Sequence, residues 1–454
     1  MACIDGTTLE GGGQLLRISV GLAALTAEPI RITRIRANRR GKSGLKAQHL
    51  SAVQWLALAS RAISAGAEQQ SQTLDFFPRA DVRGEIKSPQ KANIIDIGSA
   101  GSIGLVFQAV LPFILFSGRP SNKPFAITIH GGTNVSLSPS YDYIHQVLLP
   151  TLSLIGLPPI TANLHQRGWM RGPKGSITFT VTSMPRSQTL PPFRLENRGP
   201  IGSITATILA PSYCQGQAER KLHSVLAASF PHLDPQAGAF AVTFEKSSHK
   251  DLYLLLVATS STGHRLGRDW LYNEKITAVP AAVDRLIERV ARELVEEVRH
   301  GGCVDAYLRD QLVVFQGLAD AESFVDGGRD EHRGGNVAPS LHARTAEWVV
   351  EKILGARFDG AGGCRGVGFK AGERYSERAR AGGERCVRRA ASLGSLKDRK
   401  TLFGFGDEVV AGRALRRSMT FDGESSRSWG SRFDTVESPS FNLPLRSRRL
   451  PSAS

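Results

Sequence analysis

The stretch IDGTTLEGGGQLLRISVGL, residues 4–22, decides the fold class of this chain. It begins with a short strand-like segment at Ile4, passes through a glycine-rich turn at residues 11–13, and continues into an apolar helical pattern. Such a strand–turn–helix unit is a building block of proteins in which helices cover a sheet. The opening stretch therefore predicts an α/β unit.

The same plan recurs further along the chain. Residues 94–115 and 127–154 each run from a β-like stretch through a glycine-rich turn to a helical pattern, and residues 336–354 repeat the turn and helix more weakly. Repetition of one module indicates a core built from several copies of it. We therefore predict an α/β (α+β) protein whose main domain consists of repeated βαβ-type units.

A segment of different texture interrupts this pattern. Strand-like runs and one helical pattern between residues 190 and 277 predict a smaller α/β domain inserted into the main one. Apolar positions on one face of a helix at residues 282–300 mark the point where the main domain resumes. The predicted boundaries are 1–189 and 278–372 for the two parts of the main domain, 190–277 for the inserted domain, and 373–454 for a tail.

The tail is rich in Arg, Ser and Gly and lacks apolar periodicity, so we predict that it is disordered. Two interpretations of it stay open. It fits a solvated segment without a specific role, and it fits an RNA-binding arm or a nuclear-import signal.

Composition narrows the class of partner. The 454 residues carry a formal net charge of +16, which favours a polyanionic partner, RNA or DNA ahead of a membrane surface. No apolar run reaches the length of a membrane span, and the N-terminus lacks the pattern of a secretory signal. The five cysteines are scattered without a C-x-x-C pair, which argues against a disulfide framework or a structural zinc site. We expect an intracellular protein that is not secreted.

Glycine-rich turns that open helices can present backbone N–H groups to an anion. Neither turn, at residues 11–13 or 98–102, matches a P-loop or a dinucleotide-binding signature. Arg17 follows the first turn, and a basic run occupies residues 36–46. Arginine can grip a phosphate through two hydrogen bonds, so this run fits phosphate contacts, although a solvated basic loop has the same composition.

His342 lies at the start of the helical pattern 341–354. The positive end of a helix disfavours imidazolium, which keeps a histidine neutral and nucleophilic. A capping or surface histidine occupies the same kind of position, so spacing alone does not assign catalysis to His342.

Several motifs, in one order from residue 4 to about residue 358, resemble those of RNA 3'-terminal phosphate cyclases. They are Asp5-Gly6, the stretches 10–17, 35–50 and 98–102, Gln108, and the stretches 131–134, 307–312 and 339–342. The resemblance implies a main domain of βαβ-type units with a smaller inserted domain. It also implies a reaction: ATP adenylylates His342, AMP passes to an RNA 3'-phosphate, and the neighbouring 2'-OH closes a 2',3'-cyclic phosphodiester while AMP leaves.

The resemblance assigns roles to individual residues. It makes His342 the nucleophile, Gln108, Tyr307, Asp310 and Gln311 the residues that hold the nucleotide, Arg17, Arg36 and Gln48 those that steady phosphates, and Glu10 the contact to a divalent metal, Mg or Mn. Lysine-based nucleotidyl transferases carry a K-x-D-G motif, and here Cys3 stands where that lysine would be.

The chain departs from the family pattern at three places: the glycine-rich stretch 167–175, Ala346 where an asparagine is usual, and an added polar loop at 326–335. The main alternative is a non-catalytic cyclase-like protein of ribosome biogenesis (rRNA processing), a branch that lacks the histidine. A degenerate enzyme that only binds RNA and an enolpyruvyl transferase of related fold are further alternatives. The family and the basic tail favour the nucleus ahead of the cytoplasm, and the oligomeric state stays open.

Overall fold

A computed structural model describes residues 1–39, 41, 43–79, 93–118, 124–170, 172–330, 334–373 and 375. The predicted tail, 373–454, lies outside the described residues apart from Glu373 and Tyr375. Its predicted disorder therefore stays a prediction. No helix of the described part is long and apolar enough to cross a membrane.

The first repeat is a βαβαββ unit. Its sheet has the order β1-β2-β4-β3, in which β1 and β2 are parallel and the other neighbours are antiparallel. Its elements are β1 (Ala2–Asp5), α1 (Gly13–Thr26), β2 (Ile30–Thr33), α2 (Ala47–Ser60), β3 (Ile63–Ala65) and β4 (Leu74–Phe77).

The second repeat has the same succession and the same strand order, β5-β6-β8-β7, with β5 and β6 parallel. Its second helix, α4, contains a π-helical turn at Ile144–Leu148. The elements are β5 (Ile94–Asp96), α3 (Ile103–Phe116), β6 (Phe125–Gly131), α4 (Tyr141–Tyr143, Ile144–Leu148 and Leu149–Leu154), β7 (Ile160–Gln166) and β8 (Gly175–Val181). The sequence segments 94–115 and 127–154 are thus two halves of one repeat.

The third repeat is split by the inserted domain. Its strand order, β9-β14-β16-β15, again places two parallel strands first and two antiparallel strands after them. The elements are β9 (Arg194–Leu195), α7 (Ala306–Leu318), β14 (Glu322–Val325), α8 (Leu341–Leu354), β15 (Arg357–Phe358) and β16 (Gly363–Arg365). The prediction of an α/β fold made of repeated units is confirmed.

The inserted domain has its own sheet, in the order β11-β10-β12-β13, and its own apolar core. Its elements are β10 (Ile201–Ala210), α5 (Gln215–Ser229), β11 (Phe240–Lys246), β12 (Tyr253–Ser260), β13 (Arg265–Leu271) and α6 (Val279–Arg299). The buried face of α6 belongs to this second core, and β9 pairs with the main domain. The sequence-based boundaries of the inserted domain, 190 and 277, stay a prediction.

Helix packing in the main domain places the helix N-termini that form the site. α1 packs against both α3 and α8. The approach to α3 is close, because a Cβ added to Gly21 would lie 2.6 Å from the carbonyl oxygen of Ala109. Contact between α1 and α8 brings the first glycine-rich turn next to the segment that carries His342.

Candidate active site

His342 lies in the first turn of α8, which is capped by the Ser340 hydroxyl accepting the N–H of Ala343 at 3.0 Å. Its Nδ1 is 2.7 Å from Oε1 of Gln14 in α1. The amide nitrogen of Gln14 donates in turn to Oδ2 of Asp310 at 3.1 Å, which fixes the amide orientation. Because the Gln14 oxygen can only accept, Nδ1 of His342 carries the proton and Nε2 keeps a free lone pair.

The surroundings of His342 keep it neutral. Burial lowers its pKa below the usual 6.5, and the charges of Arg39 and Arg17 lower it further. A neutral imidazole with an unprotonated Nε2 can act as a nucleophile. The histidine singled out by its position in the sequence therefore has the protonation state that a nucleophile needs.

Glu10 lies close to His342. Its Oε1 is 3.9 Å from Nδ1 of His342, and its side chain is 6% exposed and ion-paired with Arg39. Its backbone N–H donates to the Thr345 hydroxyl at 3.1 Å, which joins the first turn to α8. A Cβ on Gly12 would lie 2.0 Å from Oε1 of Glu10, so this glycine leaves the room that the carboxylate occupies.

Glu10 also has the chemistry of a divalent-metal contact. Its Oε2 is buried and has no hydrogen-bond partner among the described residues. A hard carboxylate oxygen suits Mg²⁺ or Mn²⁺, and Mg²⁺ is often held by one or two carboxylates, waters and substrate phosphates. The described residues form no group of three or more His, Cys, Asp or Glu side chains that could hold a metal ion.

The basic side chains of Arg17 and His49 converge on the N-terminus of α1. A Cβ on Gly13 would lie 2.4 Å from Nε2 of the buried His49 and 2.9 Å from Nη1 of Arg17. Burial lowers the pKa of Arg17 to about 10, with the Asp310 charge opposing this shift. Burial, followed by the charges of Arg17, Arg36 and Lys46, holds the pKa of His49 well below its usual value. These groups and the helix end form a corner suited to an anion.

Two predicted phosphate residues make contacts within the protein. Arg36 is buried and its Nη1 donates to the carbonyl oxygen of Gly44 at 3.3 Å. Oε1 of Gln48 accepts the N–H of Ser102 at 2.9 Å and so joins α2 to the second glycine-rich turn. Their predicted contacts to phosphate stay predictions.

Three of the predicted nucleotide residues, Tyr307, Asp310 and Gln311, lie on α7, and the fourth, Gln108, lies on α3. Arg17, Gln108, Asp310 and Gln311 line one pocket together with Gln14 and apolar residues of α3 and α4. Nε2 of Gln108 donates to Oε1 of Gln311 at 2.6 Å. Burial raises the pKa of Asp310 to about 7, against the hydrogen bond from Gln14 and the charge of Arg17.

Tyr307 lies one turn before Gln311, whose Nε2 donates to the Tyr307 carbonyl oxygen at 2.9 Å. The residue is 46% exposed. Asp305 caps α7 by accepting the N–H groups of Tyr307 and Leu308, both at 2.9 Å. Residues three and four apart share a helix face, so Tyr307, Asp310 and Gln311 are presented together.

Sequence reasoning missed several residues of this site. Gln14 entered only as part of a motif, although it joins His342 to Asp310. The roles of Arg39 beside Glu10 and of Thr345 beneath it depend on chain segments that are distant in sequence. His49 could have been singled out from its position after the basic run 36–46.

Fold and geometry together define a three-repeat α/β protein in which His342 lies beside Glu10, Gln14 and a group of basic side chains. The family model for RNA 3'-terminal phosphate cyclase matches residues 8–359, and the chain belongs to this family. Among similar proteins are those named RNA 3'-terminal phosphate cyclase from Methylococcus capsulatus (33% identical over 78% of this chain and 92% of the relative) and from Pyrococcus furiosus (33%, over 80% and 96%). A relative of the same name from Drosophila melanogaster is 29% identical over 80% of this chain and 96% of its own length.

Proposed function

We propose that this protein uses ATP to convert an RNA 3'-terminal phosphate into a 2',3'-cyclic phosphodiester through an AMP group held on His342. The observation that carries this proposal is the chain from Asp310 through Gln14 to Nδ1 of His342, which leaves Nε2 free to attack. Membership of the cyclase family and the names of the relatives support the substrate and the reaction.

In the first step, Nε2 of His342 attacks the α-phosphorus of ATP, a P–N bond forms, and pyrophosphate leaves. The basic corner around Arg17 and the N-terminus of α1 stabilises the charge on the phosphates. The pocket lined by Gln108 of α3 and by Asp310 and Gln311 of α7 holds the rest of the nucleotide. A divalent metal at Glu10 would supply charge neutralisation on phosphate oxygens.

In the second step, an oxygen of the RNA 3'-phosphate attacks the phosphorus of the histidine-bound AMP. The P–N bond breaks and a phosphoanhydride forms. In the third step, the 2'-OH attacks the terminal RNA phosphorus, loses its proton and expels AMP. Adenylylation is needed because a phosphate monoester is anionic and lacks a good leaving group, whereas AMP is one.

Labelling with α-³²P-ATP and a divalent metal tests the proposal. We expect an acid-labile, base-stable label on the wild type and none on His342→Ala, and the wild type should then cyclise 3'-phosphorylated RNA. His165→Ala is the matched control, because His165 is an exposed strand histidine that contacts Thr178. Gln14→Leu should label about 10- to 100-fold more slowly, since it removes the acceptor that fixes the histidine proton.

Absence of label on the wild type would contradict the proposal and favour the non-catalytic, cyclase-like role in ribosome biogenesis. Equal labelling of His342→Ala would move the nucleophile to another residue. We also propose nuclear residence, on the basis of the basic tail, which imaging of the full chain against a chain ending at residue 372 would test.

A further inference from the structure

Arg268, a residue of the inserted domain, lies over the ring of Tyr307 in the main domain. Its guanidinium carbon is 4.4 Å from the ring centroid, within the range of a cation–π contact. The preceding residue, Gly267, donates its N–H to Oδ2 of Asp305 at 2.8 Å. Because Asp305 caps α7, strand β13 is joined to the predicted nucleotide helix at two adjacent positions.

The charged side chain of Arg268 is largely buried. Its side chain is 13% exposed and forms an ion pair with Glu297, whose side chain is 12% exposed. Its Nε has no hydrogen-bond partner among the described residues. Burying a cation is costly unless partners compensate for the lost water, so the contact with the Tyr307 ring helps to hold this charge.

Tyr307 keeps an accessible surface in spite of these neighbours. Arg268 covers one face, and Tyr143 meets the ring edge-on at a centroid distance of 6.2 Å and an angle of 79°. The residue nevertheless remains 46% exposed. A rigid aromatic ring with one covered face and an accessible remainder is a suitable platform for stacking a nucleobase.

We propose that Arg268 is a positioning residue for ATP, which holds the Tyr307 ring so that the adenine stacks on its other face. This inference rests on the proposed function, in which Tyr307 holds the nucleotide. It makes the inserted domain a contributor to nucleotide binding, through a side chain that does not itself touch the ligand.

Equilibrium binding of ATP to His342→Ala protein tests this inference without a covalent step. We expect Arg268→Gln in that background to raise the Kd for ATP about tenfold, and Arg268→Lys, which keeps the charge, to raise it less. The matched control is Arg289→Gln. Arg289 lies 4.0 Å over the Trp270 ring and pairs with Glu293 in the same inserted domain, and its loss should leave the Kd unchanged.

A second ligand separates stacking from general disturbance of the site. Inorganic tripolyphosphate has no base, so its affinity should be the same with and without Arg268→Gln. Arg268→Gln also leaves Glu297 buried without its partner, so the double variant Arg268→Gln/Glu297→Gln is measured beside it. An unchanged Kd for ATP, or an equal weakening of ATP and tripolyphosphate, would overturn the inference.

Labelling of the wild type distinguishes failure of the proposed function from failure of the proposed role of Arg268. A wild type that takes no label from α-³²P-ATP contradicts the proposed function. A labelled wild type whose Arg268→Gln variant binds ATP as tightly as its parent contradicts only the role of Arg268.

Discussion

The glycine-rich turns of the first and second repeats have the same place in the same unit, yet their surroundings differ. The first, at residues 11–13, lies among Glu10, Arg17 and His49. The second, at residues 98–102, is engaged within the protein: Oδ1 of Asp96 accepts the N–H of Gly98 at 2.8 Å, and Oε1 of Gln48 accepts that of Ser102 at 2.9 Å.

The difference shows that the strand–turn–helix unit fixes the backbone arrangement of the turn. The side chains around the turn determine whether it can form a binding site. At the second turn the N–H groups of Gly98, Gly101 and Ser102 have side-chain acceptors.

At the first turn the N–H of Gly11 donates to the carbonyl oxygen of Thr8, and the basic side chains of Arg17 and His49 lie beside the turn. Helix α8 packs against α1, which follows the first turn. The proposed phosphate contacts therefore lie at the copy that neighbouring helices surround with charged side chains and with His342.

The largest expected effect on the rate of adenylylation comes from a methyl group added to the first turn, compared with a methyl group added to the second. Gly12→Ala places a Cβ 2.0 Å from Oε1 of Glu10, so the flexible carboxylate beside His342 must shift from its position. We expect adenylylation to slow about 100-fold with little loss of stability, because displacement by about 1 Å at a reacting centre has effects of this size. The measurement is the initial rate of label transfer from α-³²P-ATP.

Gly98→Ala is the matched change in the second turn. Gly98 has φ +73° and an added Cβ would meet no atom within 4 Å, so the cost is backbone strain of about 1–2 kcal/mol. We expect a lower melting temperature and an unchanged labelling rate. Similar rates for the two alanine variants would remove the functional distinction between the turns.

Two aspartates, Asp310 and Asp96, allow the surroundings of the two turns to be compared through the pH dependence of stability. Burial raises the pKa of Asp310 to about 7, whereas the hydrogen bond from Lys174 lowers the pKa of the exposed Asp96. A raised carboxyl pKa means that the unfolded chain loses the proton first, so the contribution of Asp310 to stability falls as pH rises from about 4 to about 7. Asp96 has the opposite sign, and its contribution is lost as pH falls below about 4.

Thermal melting between pH 4.5 and 8 checks these signs. We expect the melting temperature of Asp310→Asn relative to wild type to increase with pH over this range, because the variant has no buried carboxyl to ionise. Asp96→Asn should show no such trend above pH 5. A relative melting temperature of Asp310→Asn that is flat across the range would contradict the raised pKa.

Local sequence patterns predicted individual helices and strands better than they predicted which of these belong to one repeat. The helix at 341–354 has the same bounds in the structure, and the helical pattern from Ile103 corresponds to α3. The sequence showed only the turn and helix at 336–354 of the third repeat. The remainder was missed because β9 has only two residues and a whole domain separates it from α7. The contact between Gln14 and His342 spans 328 positions and depends on the packing of α1 against α8, which no local pattern encodes.

Two serine caps give the smallest and most closely matched comparison. The Ser102 hydroxyl accepts the N–H of Leu105 at 3.2 Å and caps α3, and the Ser340 hydroxyl accepts that of Ala343 at 3.0 Å and caps α8. Replacing either serine by alanine should cost about 1 kcal/mol of stability, since each leaves one helix N–H without its acceptor.

Only the Ser340 cap lies beside the proposed nucleophile, two positions before His342. We therefore expect Ser340→Ala to slow label transfer several-fold and Ser102→Ala to leave it unchanged, while urea unfolding reports similar losses of stability for both. Equal labelling rates at equal stability loss would mean that the first turn of α8 does not need its cap to orient His342. The hydrogen bond that Nδ1 of His342 donates to Oε1 of Gln14 would then be sufficient to hold the imidazole in place.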